Sequence, residues 1–224
     1  DAEVEAYRRW WAERRVDGIF LIDLRTEDKR VLVLEELGLP AVVIGGPGHH
    51  GHLPGVWSDD ASAMAMVVEY LAALGHRRVA RVAGPSGLLH TELRSQAFGE
   101  VADRLALASA VTVATDYSAE QGAQATRRLL SGTPRPSAVI YDNDVMAVAG
   151  TSVAHEMGVD VPRDLSIVAW DDSPLCSLVH PPLTALSRDI SEFFAAAGLE
   201  LDDERAELYV AGIGADVDAG RREL

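Results

Sequence analysis

Two short apolar segments in the second half of the chain each end at side chains that can bind a small molecule. Residues 138–141 are followed by Asp142-Asn143-Asp144, and residues 165–170 are followed by Asp171-Asp172. A carboxylate accepts hydrogen bonds, and an amide both donates and accepts them. These residue types at these positions therefore predict a site for a small polar ligand.

The hydrophobic pattern predicts that these polar residues lie on one edge of a parallel sheet. Apolar residues recur at helical spacing from Val145 to Met157, and Gly158 is expected to end that helix. A strand, a helix and a second strand in this order predict parallel pairing with a right-handed crossover. Ligands bind outside the carboxyl ends of such strands, so we expect Asn143 and Asp171 to face the same cleft.

The composition is that of a globular chain with a sizeable core. The 224 residues are 48% hydrophobic, with a mean hydropathy of +0.04, which suits one large or two small domains. No run approaches the roughly 18 apolar residues of a membrane helix, and residues 1–15 are charged, so we expect neither a membrane span nor a signal peptide. Cys176 is the single cysteine, which excludes an internal disulfide and favours the cytoplasm.

The charge of the chain argues against direct binding to nucleic acid. The formal net charge is -15 and the sequence pI is about 4.8. A surface of this sign repels the phosphate backbone. We therefore expect no contact between this chain by itself and DNA.

Strand and helix patterns alternate along the rest of the sequence. We predict strands at 18–22, 41–44, 56–57, 79–83 and 111–115, and helices at 1–15, 27–37, 61–74, 91–107 and 118–130. This regular alternation predicts an α/β fold. Residues 45–55 are rich in glycine, proline and histidine and are the best candidate for a surface loop near a domain boundary.

Seven segments follow one another in an order that carries a family resemblance. They are LGLPAVVIG, SDDASAMAMVVEYLAALGHRRVARVAGP, RSQAF, DYSAEQG, YDNDVMAVA, VPRDLSIVAWDD and PPLTALSRD. Over about residues 4–194 the chain resembles the effector-binding core of LacI/GalR-type bacterial transcriptional regulators. The resemblance implies a periplasmic-binding-protein-like fold, in which two doubly wound parallel-sheet subdomains surround a ligand cleft. It also implies a sugar-like or nucleobase-like effector, a homodimer, and DNA binding only through a headpiece that this chain lacks.

The same resemblance assigns polar ligand contacts to four residues. Arg94 matches the arginine of the family's R-x-x-G-[FW] pattern, with Ala97 in place of the usual glycine. A planar, always charged guanidinium suits binding to hydroxyls or to a carboxylate. Asn143 and Asp171 match further polar contacts of the family, and His90, one helical turn before Arg94, matches a position that often touches the effector.

Aromatic side chains are assigned to the walls of the same pocket. Tyr117 and Trp57 fall where relatives place flat apolar rings beside the ligand. The alternative is that both are ordinary core aromatics. Trp10 and Trp11 are adjacent on a predicted helix, so at least one is expected to pack into the core or against a second copy of the chain.

The polar assignments also have structural alternatives. Arg94 could instead pair with Glu100 or another surface carboxylate. Asn143, Asp144 and Asp172 could each cap a helix, because Asn and Asp are preferred at that position. We predict capping for Asp144 and Asp172 and a ligand contact for Asn143.

Enzymatic and metal-binding motifs are missing from the sequence. Ser86, His90 and Asp116 could be imagined as a catalytic triad, but no G-x-S-x-G elbow presents the serine. Neither a G-x-G-x-x-G turn after a strand nor a phosphate-binding P-loop occurs. The three histidines within residues 49–52 lie on a loop without a nearby carboxylate or cysteine, so we predict no metal and no cofactor.

The resemblance divides the chain into subdomains and leaves one of them short. Residues 1–57 with about 186–206 would form the amino subdomain, residues 58–185 the carboxyl subdomain, and residues 207–224 a divergent tail with a strand-like stretch at 207–213. Family cores open with a strand, helix and strand before the helix at 1–15, so we expect the amino subdomain to be incomplete. Pro181-Pro182-Leu183 is expected to lead into a strand that crosses back between subdomains.

Two positions depart from sugar-responsive relatives. Ile44-Gly45-Gly46 stands where they often carry an aspartate, and Ile190 stands where many carry an aromatic ring. The missing carboxylate weakens the case for a typical hexose. Two other functions remain open at this point: a solute-binding receptor of a membrane transport system, and a degenerate core that only dimerises.

Overall fold

The predicted alternation of strands and helices forms two separate units. The computed structural model describes residues 2–45, 47–187 and 214–215. Residues 2–60 and 87–90 form the first unit, and residues 61–86 and 91–187 form the second. Each unit contains its own parallel sheet, which confirms the predicted α/β fold.

Nine strands and seven helices occur among the described residues. In chain order they are α1 (Ala2–Ala12), β1 (Ile19–Leu21), α2 (Lys29–Leu37), β2 (Ala41–Ile44), β3 (Gly55–Trp57), α3 (Asp60–Ala73), β4 (Arg78–Ala83), α4 (Leu89–Arg104), β5 (Ser109–Ala114), α5 (Ala119–Ser131), β6 (Ala138–Tyr141), α6 (Asp144–Glu156), β7 (Ser166–Trp170), α7 (Pro174–Leu178), β8 (Thr184–Leu186) and β9 (Gly214–Ala215). The sequence pattern predicts the elements up to β7 with ends that differ by a few residues. It predicts a helix after Asp172 only through the cap expected there, without the bounds of the five-residue α7.

The first unit is built on the sheet order β1-β2-β3-β9. β1, β2 and β3 are parallel, and β9 pairs antiparallel with β3. Helix α2 begins after Asp28, whose side chain accepts the backbone N–H of Arg30, and it ends at Gly38 in the left-handed region (φ 59°). On α1 the ring of Trp10 lies 6.1 Å from the ring of Tyr7.

The second unit has five parallel strands in the order β5-β4-β6-β7-β8. Successive side chains of a strand point to opposite faces of the sheet, and the core is divided accordingly. On β6, Ala138 and Ile140 pack with α3 and α4, whereas Val139 and Tyr141 pack with α5 and α6. Helices therefore cover both faces of this sheet, as in a doubly wound fold.

Several features of the second unit meet local expectations. Gly158 ends α6 with a left-handed backbone (φ 72°), as predicted. Pro181-Pro182-Leu183 leads into β8, which is the last described strand of this sheet. The crossing expected after it, the difference at Ile190 and the strand predicted at 207–213 all lie outside the described residues.

None of the helices in the described part of the chain combines the length and the apolar character that a membrane span needs.

Candidate functional site

The strand order of the second unit defines where a ligand would bind. The chain runs from β4 outward to β5 and then passes back over β4 to β6, so the direction of winding reverses between β4 and β6. In open parallel sheets, ligands bind outside the carboxyl ends of the strands at such a reversal. Gly84 follows β4 there and Asp142 follows β6. The backbone N–H of Gly84 donates to Asp142 Oδ2 at 3.2 Å, which joins the two strand ends directly.

A buried ion pair, which we call the Arg81–Asp142 fork, occupies this position. Arg81 Nε donates to Asp142 Oδ1 at 2.8 Å, and Arg81 Nη2 donates to Oδ2 at 2.6 Å. Both side chains are fully buried. Arg81 is two residues from Val79 along β4 and therefore points to the face that α3 and α4 cover. Charges in such surroundings are tolerated only when they are paired, so each residue depends on the other.

Arg94 extends from α4 to the same strand end. Its Nη1 donates to the carbonyl oxygen of Asp142 at 3.4 Å and lies 3.9 Å from Asp142 Oδ2. Its Cζ lies 4.1 Å from the centre of the Trp170 ring, so the guanidinium stacks on the indole face. Arg94 is only 6% exposed. It is therefore not the surface residue of the alternative interpretation, and Glu100 accepts a hydrogen bond from Gln96.

Asn143 links the end of β6 to the end of β5. Its Nδ2 donates to the carbonyl oxygen of Tyr117 at 3.0 Å. Its Oδ1 accepts the backbone N–H of Met146 at 2.8 Å, which makes Asn143 the N-cap of α6. An amide has two N–H donors and two acceptor lone pairs, and these two bonds use one of each. Asn143 thus has a structural role in addition to the predicted ligand contact.

The helix caps that the sequence pattern assigns to Asp144 and Asp172 are wrong. Asn143 caps α6, and Asp144 is the first residue of that helix. The Asp144 carboxylate instead accepts a hydrogen bond from the Ser173 hydroxyl. Ser173, rather than Asp172, caps α7 by accepting the N–H of Leu175 at 3.2 Å. Asn, Ser and Asp are all good caps, so local preference does not resolve a shift of one residue.

Two of the predicted contact residues have unusual backbone conformations. Tyr117 has φ 69° and Asp171 has φ 73°, both in the left-handed region. A bulky residue such as tyrosine rarely adopts this conformation, and backbone strain of this kind concentrates at functional sites. The turns after β5 and β7 therefore hold these two residues in place at the carboxyl edge of the sheet.

The Tyr117 ring lies against the turn after β4. A β-carbon added at Gly84 would overlap this ring, so glycine is needed for the close approach. The Tyr117 hydroxyl lies 3.3 Å from Thr91 Oγ1. Burial raises the pKa of Tyr117 above its usual value, while the hydrogen bond to Thr91 opposes this. The hydroxyl is therefore protonated at neutral pH and can donate to a ligand.

The remaining two predicted contacts belong to the first unit. Trp57 lies on β3, and its ring stacks on that of His50 with centroids 5.8 Å apart. His90 lies in the first turn of α4 and is half-buried. Arg94, Asn143, Tyr117 and Asp171 belong to the second unit. Those four come from the carboxyl edge of one sheet or from the helix beside it.

Sequence reasoning missed the Arg81–Asp142 fork. The available signal is the arginine inside RVARVA, a strand whose other residues from Val79 onward are buried. A charged side chain in a strand buried on both faces requires a partner of opposite charge. Asp142, directly after the next buried strand, is the carboxylate that meets this requirement.

Two other features of the described residues lie apart from this edge. No group of three or more metal-binding side chains occurs among them. A cavity of ≈ 420 Å³ lies beside β5 and the carboxyl end of α5, lined among others by Val111, Val113, Leu129 and Pro134. None of the six predicted contact residues lines it.

Comparison with known proteins identifies relatives of one kind. Residues 68–206 match the family model described as a periplasmic binding protein-like domain. The chain is 32% identical over 213 residues to an uncharacterized HTH-type transcriptional regulator in the aml 5' region of Streptomyces limosus, covering 88% of this chain and 59% of that protein. It is 30% identical over 200 residues to the HTH-type transcriptional repressor CytR of Escherichia coli K12, covering 88% and 58%. The chain thus spans less than two thirds of the length of these relatives, whose names describe regulators rather than enzymes.

Solved structures agree with this result. A LacI family transcriptional regulator from Bifidobacterium animalis subsp. lactis superposes with a TM-score of 0.79 at 41% identity, covering 89% of this chain and 77% of that one. A complex of the transcriptional regulator CelR with cellobiose superposes with a TM-score of 0.73 at 29% identity, covering 82% and 57%. Sequence and fold therefore point to the same group of proteins.

Proposed function

The chain belongs to the LacI family of transcriptional regulators, and we propose that it is the effector-binding core of such a regulator. The observation that carries this proposal is the position of Arg94, which is stacked on Trp170 and directed at the end of β6. Asn143, Tyr117 and Asp171 follow the ends of three strands of the same sheet. Charged, amide, phenol and carboxylate groups at one sheet edge suit a small polar molecule.

The proposed effector is a sugar-like or nucleobase-like metabolite. Arg94 supplies fixed donors for hydroxyl or ring oxygens, Asp171 supplies an acceptor, and Tyr117 supplies a flat face with a hydroxyl. CelR, a related regulator, was solved with cellobiose. We propose that Trp57 and His90 contribute further contacts from the first unit.

The proposed output is allosteric control of DNA binding. With a net charge of -15, the chain is suited to sensing a metabolite rather than to contacting DNA by itself. DNA would be bound by a separate helix-turn-helix segment of the whole protein. An effector can shift such a protein only through different affinities for two arrangements of the core. We propose that this non-catalytic core acts in the cytoplasm.

The proposed assembly is a homodimer, supported by an apolar surface on α6 and α7. Val145 at the start of α6 and Leu175 and Leu178 on α7 are exposed, and Leu178 is 78% exposed. The two helices are joined where Ser173 donates to Asp144. Apolar patches of this kind mark protein interfaces.

Light scattering tests the homodimer directly. We expect a dimer for the wild-type chain and a monomer for Leu178→Glu, because the added charge would be buried in the interface. Leu74→Glu, at an exposed position directly after α3, is the control and should remain dimeric. A monomeric wild-type chain would contradict the proposed assembly.

Isothermal titration calorimetry tests the effector site. The chain is titrated with a panel of saccharides and nucleosides that includes cellobiose and ribose. For a compound that binds, Arg94→Ala and Asp171→Ala should each weaken binding by about tenfold or more, since each removes a charge-assisted hydrogen bond. Arg104→Ala, on the exposed end of α4, should leave the affinity unchanged. Binding that neither Arg94→Ala nor Asp171→Ala alters would overturn the assignment of the site.

A further inference from the structure

The Arg81–Asp142 fork is buried at a position where two apolar side chains would serve stability as well. Arg81 lies on β4 and Asp142 directly follows β6, and nearby residues of these strands, including Val79 and Ile140, belong to the hydrophobic core. Removing two charges from water costs free energy, and replacing a buried ion pair by packed apolar residues is often neutral or stabilising. Stability alone therefore does not explain why this strand contains an arginine.

We propose that the fork is a positioning device that holds Arg94 in its ligand-binding orientation. This inference rests on the proposed function of the same edge of the sheet. Arg81 is fully buried, so it acts through Arg94 rather than by touching a ligand. The fork would then determine how strongly, and with which geometry, the site binds an effector.

The first step of the argument concerns the helix that carries Arg94. Arg81 Nη1 donates to Ser95 Oγ at 2.7 Å, and Arg81 Nη2 donates to the carbonyl oxygen of Thr91 at 3.3 Å. Ser95 Oγ in turn donates to the Thr91 carbonyl at 2.7 Å. Thr91 and Ser95 are one helical turn apart and Arg94 lies between them, so the fork fixes the turn of α4 from which Arg94 extends.

The second step concerns Asp142, which contacts three groups at the strand ends. Its carboxylate accepts from Arg81 and from the N–H of Gly84, and its carbonyl oxygen accepts from Arg94. The orientation of the Asp142 side chain is set by the two hydrogen bonds of Arg81. Arg94 Nη1 also lies 3.9 Å from Asp142 Oδ2, so Arg94 faces a carboxylate whose orientation depends on Arg81.

The third step concerns how an ordered Arg94 guanidinium increases ligand affinity. Arginine has a flexible side chain, and an ordered guanidinium loses less conformational entropy when a ligand binds. The Trp170 ring supports one face of the Arg94 guanidinium, with 4.1 Å between Cζ and the ring centre. The carbonyl oxygen of Asp142 accepts a hydrogen bond from Nη1 at the edge of the same guanidinium. Binding sites require such support for the groups that contact the ligand. The fork supplies that support from within the core.

The test uses a variant that replaces both partners of the fork, so that neither Arg81 nor Asp142 remains as a buried charge without the other. In Arg81→Met/Asp142→Leu both partners become apolar, so thermal stability should be retained or raised. The readout is the Arg94 Nε–H signal in an NMR spectrum of the ligand-free chain, identified by its loss in Arg94→Ala. Stacking on Trp170 should shift this signal upfield in the wild-type chain, and the shift should be lost in the double variant. An unchanged Arg94 signal in a folded double variant would overturn the proposal.

Arg104→Met/Glu69→Leu is the matched control. It removes an arginine–carboxylate pair with the same 2.6 Å separation from the other end of α4, where both side chains are exposed. The Arg94 signal should be unchanged in this variant. A change of equal size in both variants would show that any alteration of α4 moves Arg94, and would also overturn the proposal.

Titration with cellobiose separates this inference from the proposed function. Loss of the fork should weaken cellobiose binding by about tenfold to a hundredfold, comparable to losing one or two hydrogen bonds to a charged group. Equal affinity in wild type and double variant would overturn the positioning role while leaving the effector site intact. If the Arg94 signal moves but no compound of the calorimetry panel binds the wild type, the proposed function fails and the structural role of the fork stands.

Discussion

Each unit contains one buried fork between an arginine and an aspartate, and the two have nearly the same geometry. In the first unit, Arg30 donates from Nε to Asp28 Oδ1 at 2.9 Å and from Nη2 to Oδ2 at 2.6 Å. In the second unit, the corresponding distances from Arg81 to Asp142 are 2.8 and 2.6 Å. Distances alone would assign the two pairs the same importance.

Their places in the topology differ. Asp28 and Arg30 are two residues apart; Asp28 also caps α2, and Arg30 Nη2 donates to the carbonyl oxygens of Ile22 and Asp23 in the loop after β1. The Arg81–Asp142 fork joins residues 61 positions apart. One pair stabilises a local turn, whereas the other connects two strands and a helix. What an ion pair does is therefore decided by what it connects.

The largest expected effect comes from breaking the long-range fork on one side. Asp142→Ala leaves the Arg81 guanidinium buried without its carboxylate and should lower the free energy of unfolding by about 3–5 kcal/mol. Urea denaturation measures this change. Arg81→Met/Asp142→Leu should recover this loss, since neither charge of the fork remains. A loss below about 1 kcal/mol for Asp142→Ala would mean that Arg81 is solvated in the folded chain.

Breaking the local fork should cost less. Asp28→Asn keeps an N-cap for α2 but removes the charge-assisted bonds to Arg30, and should lower the free energy of unfolding at pH 7 by about 1–2 kcal/mol. Arg30 is slightly exposed and lies 3.3 Å from Glu3, so it keeps a second carboxylate. Urea denaturation of both variants under the same conditions compares the two forks. Equal losses for Asp28→Asn and Asp142→Ala would remove the distinction between them.

The local fork should also weaken in acid. Burial opposes ionisation of Asp28, but its hydrogen bonds from Arg30 and Arg25 outweigh burial, and its pKa lies below the usual value. A lowered pKa in the folded state contributes stability that is present above the unfolded value, about 3.9, and is lost as the pH falls through the folded value. The difference in stability between wild type and Asp28→Asn should therefore shrink from pH 7 to about pH 3. A difference that stays constant would show that the charge of Asp28 is not what stabilises the fold.

The smallest expected effect comes from a third pair with the same separation. Arg104 Nη2 and Glu69 Oε1 are 2.6 Å apart, but both side chains are about half exposed. Solvent and salt screen such a pair, so Arg104→Met should change the free energy of unfolding by less than about 1 kcal/mol. Repeating the measurement at about 0.5 M salt should reduce even this difference. A loss as large as that of Asp28→Asn would show that separation, not burial, sets the energy.

The position of the site was predictable because it depends on local signals. The apolar run at 138–141 ends at polar residues, and helical spacing resumes directly after them. That pattern alone locates Asn143 at the carboxyl edge of the sheet, and the same reasoning locates Asp171. Both follow from the rule that parallel strands end at a common edge.

The interior of the site was not predictable in the same way. The partner of Arg81 depends on β4 pairing with β6 as well as with β5, its neighbour in sequence, and no local pattern encodes the pairing with β6. The left-handed backbone of Tyr117 runs against the local preference of a bulky residue, and only its surroundings stabilise it. Asn143 caps α6, whereas Asp144 accepts a hydrogen bond from Ser173, a contact between residues 29 positions apart that no local pattern encodes.

The pairing of β4 with β6 also has a consequence for the order of folding. Closing a loop costs more entropy as it lengthens, and contacts between distant residues form later. The Arg30 fork can close as soon as its own turn forms. Arg81 and Asp142 meet only when β4 pairs with β6, so this fork requires a contact between segments that are far apart in the sequence. The proposed orientation of Arg94 thus depends on a contact that is expected to form later in folding than the local Arg30 fork.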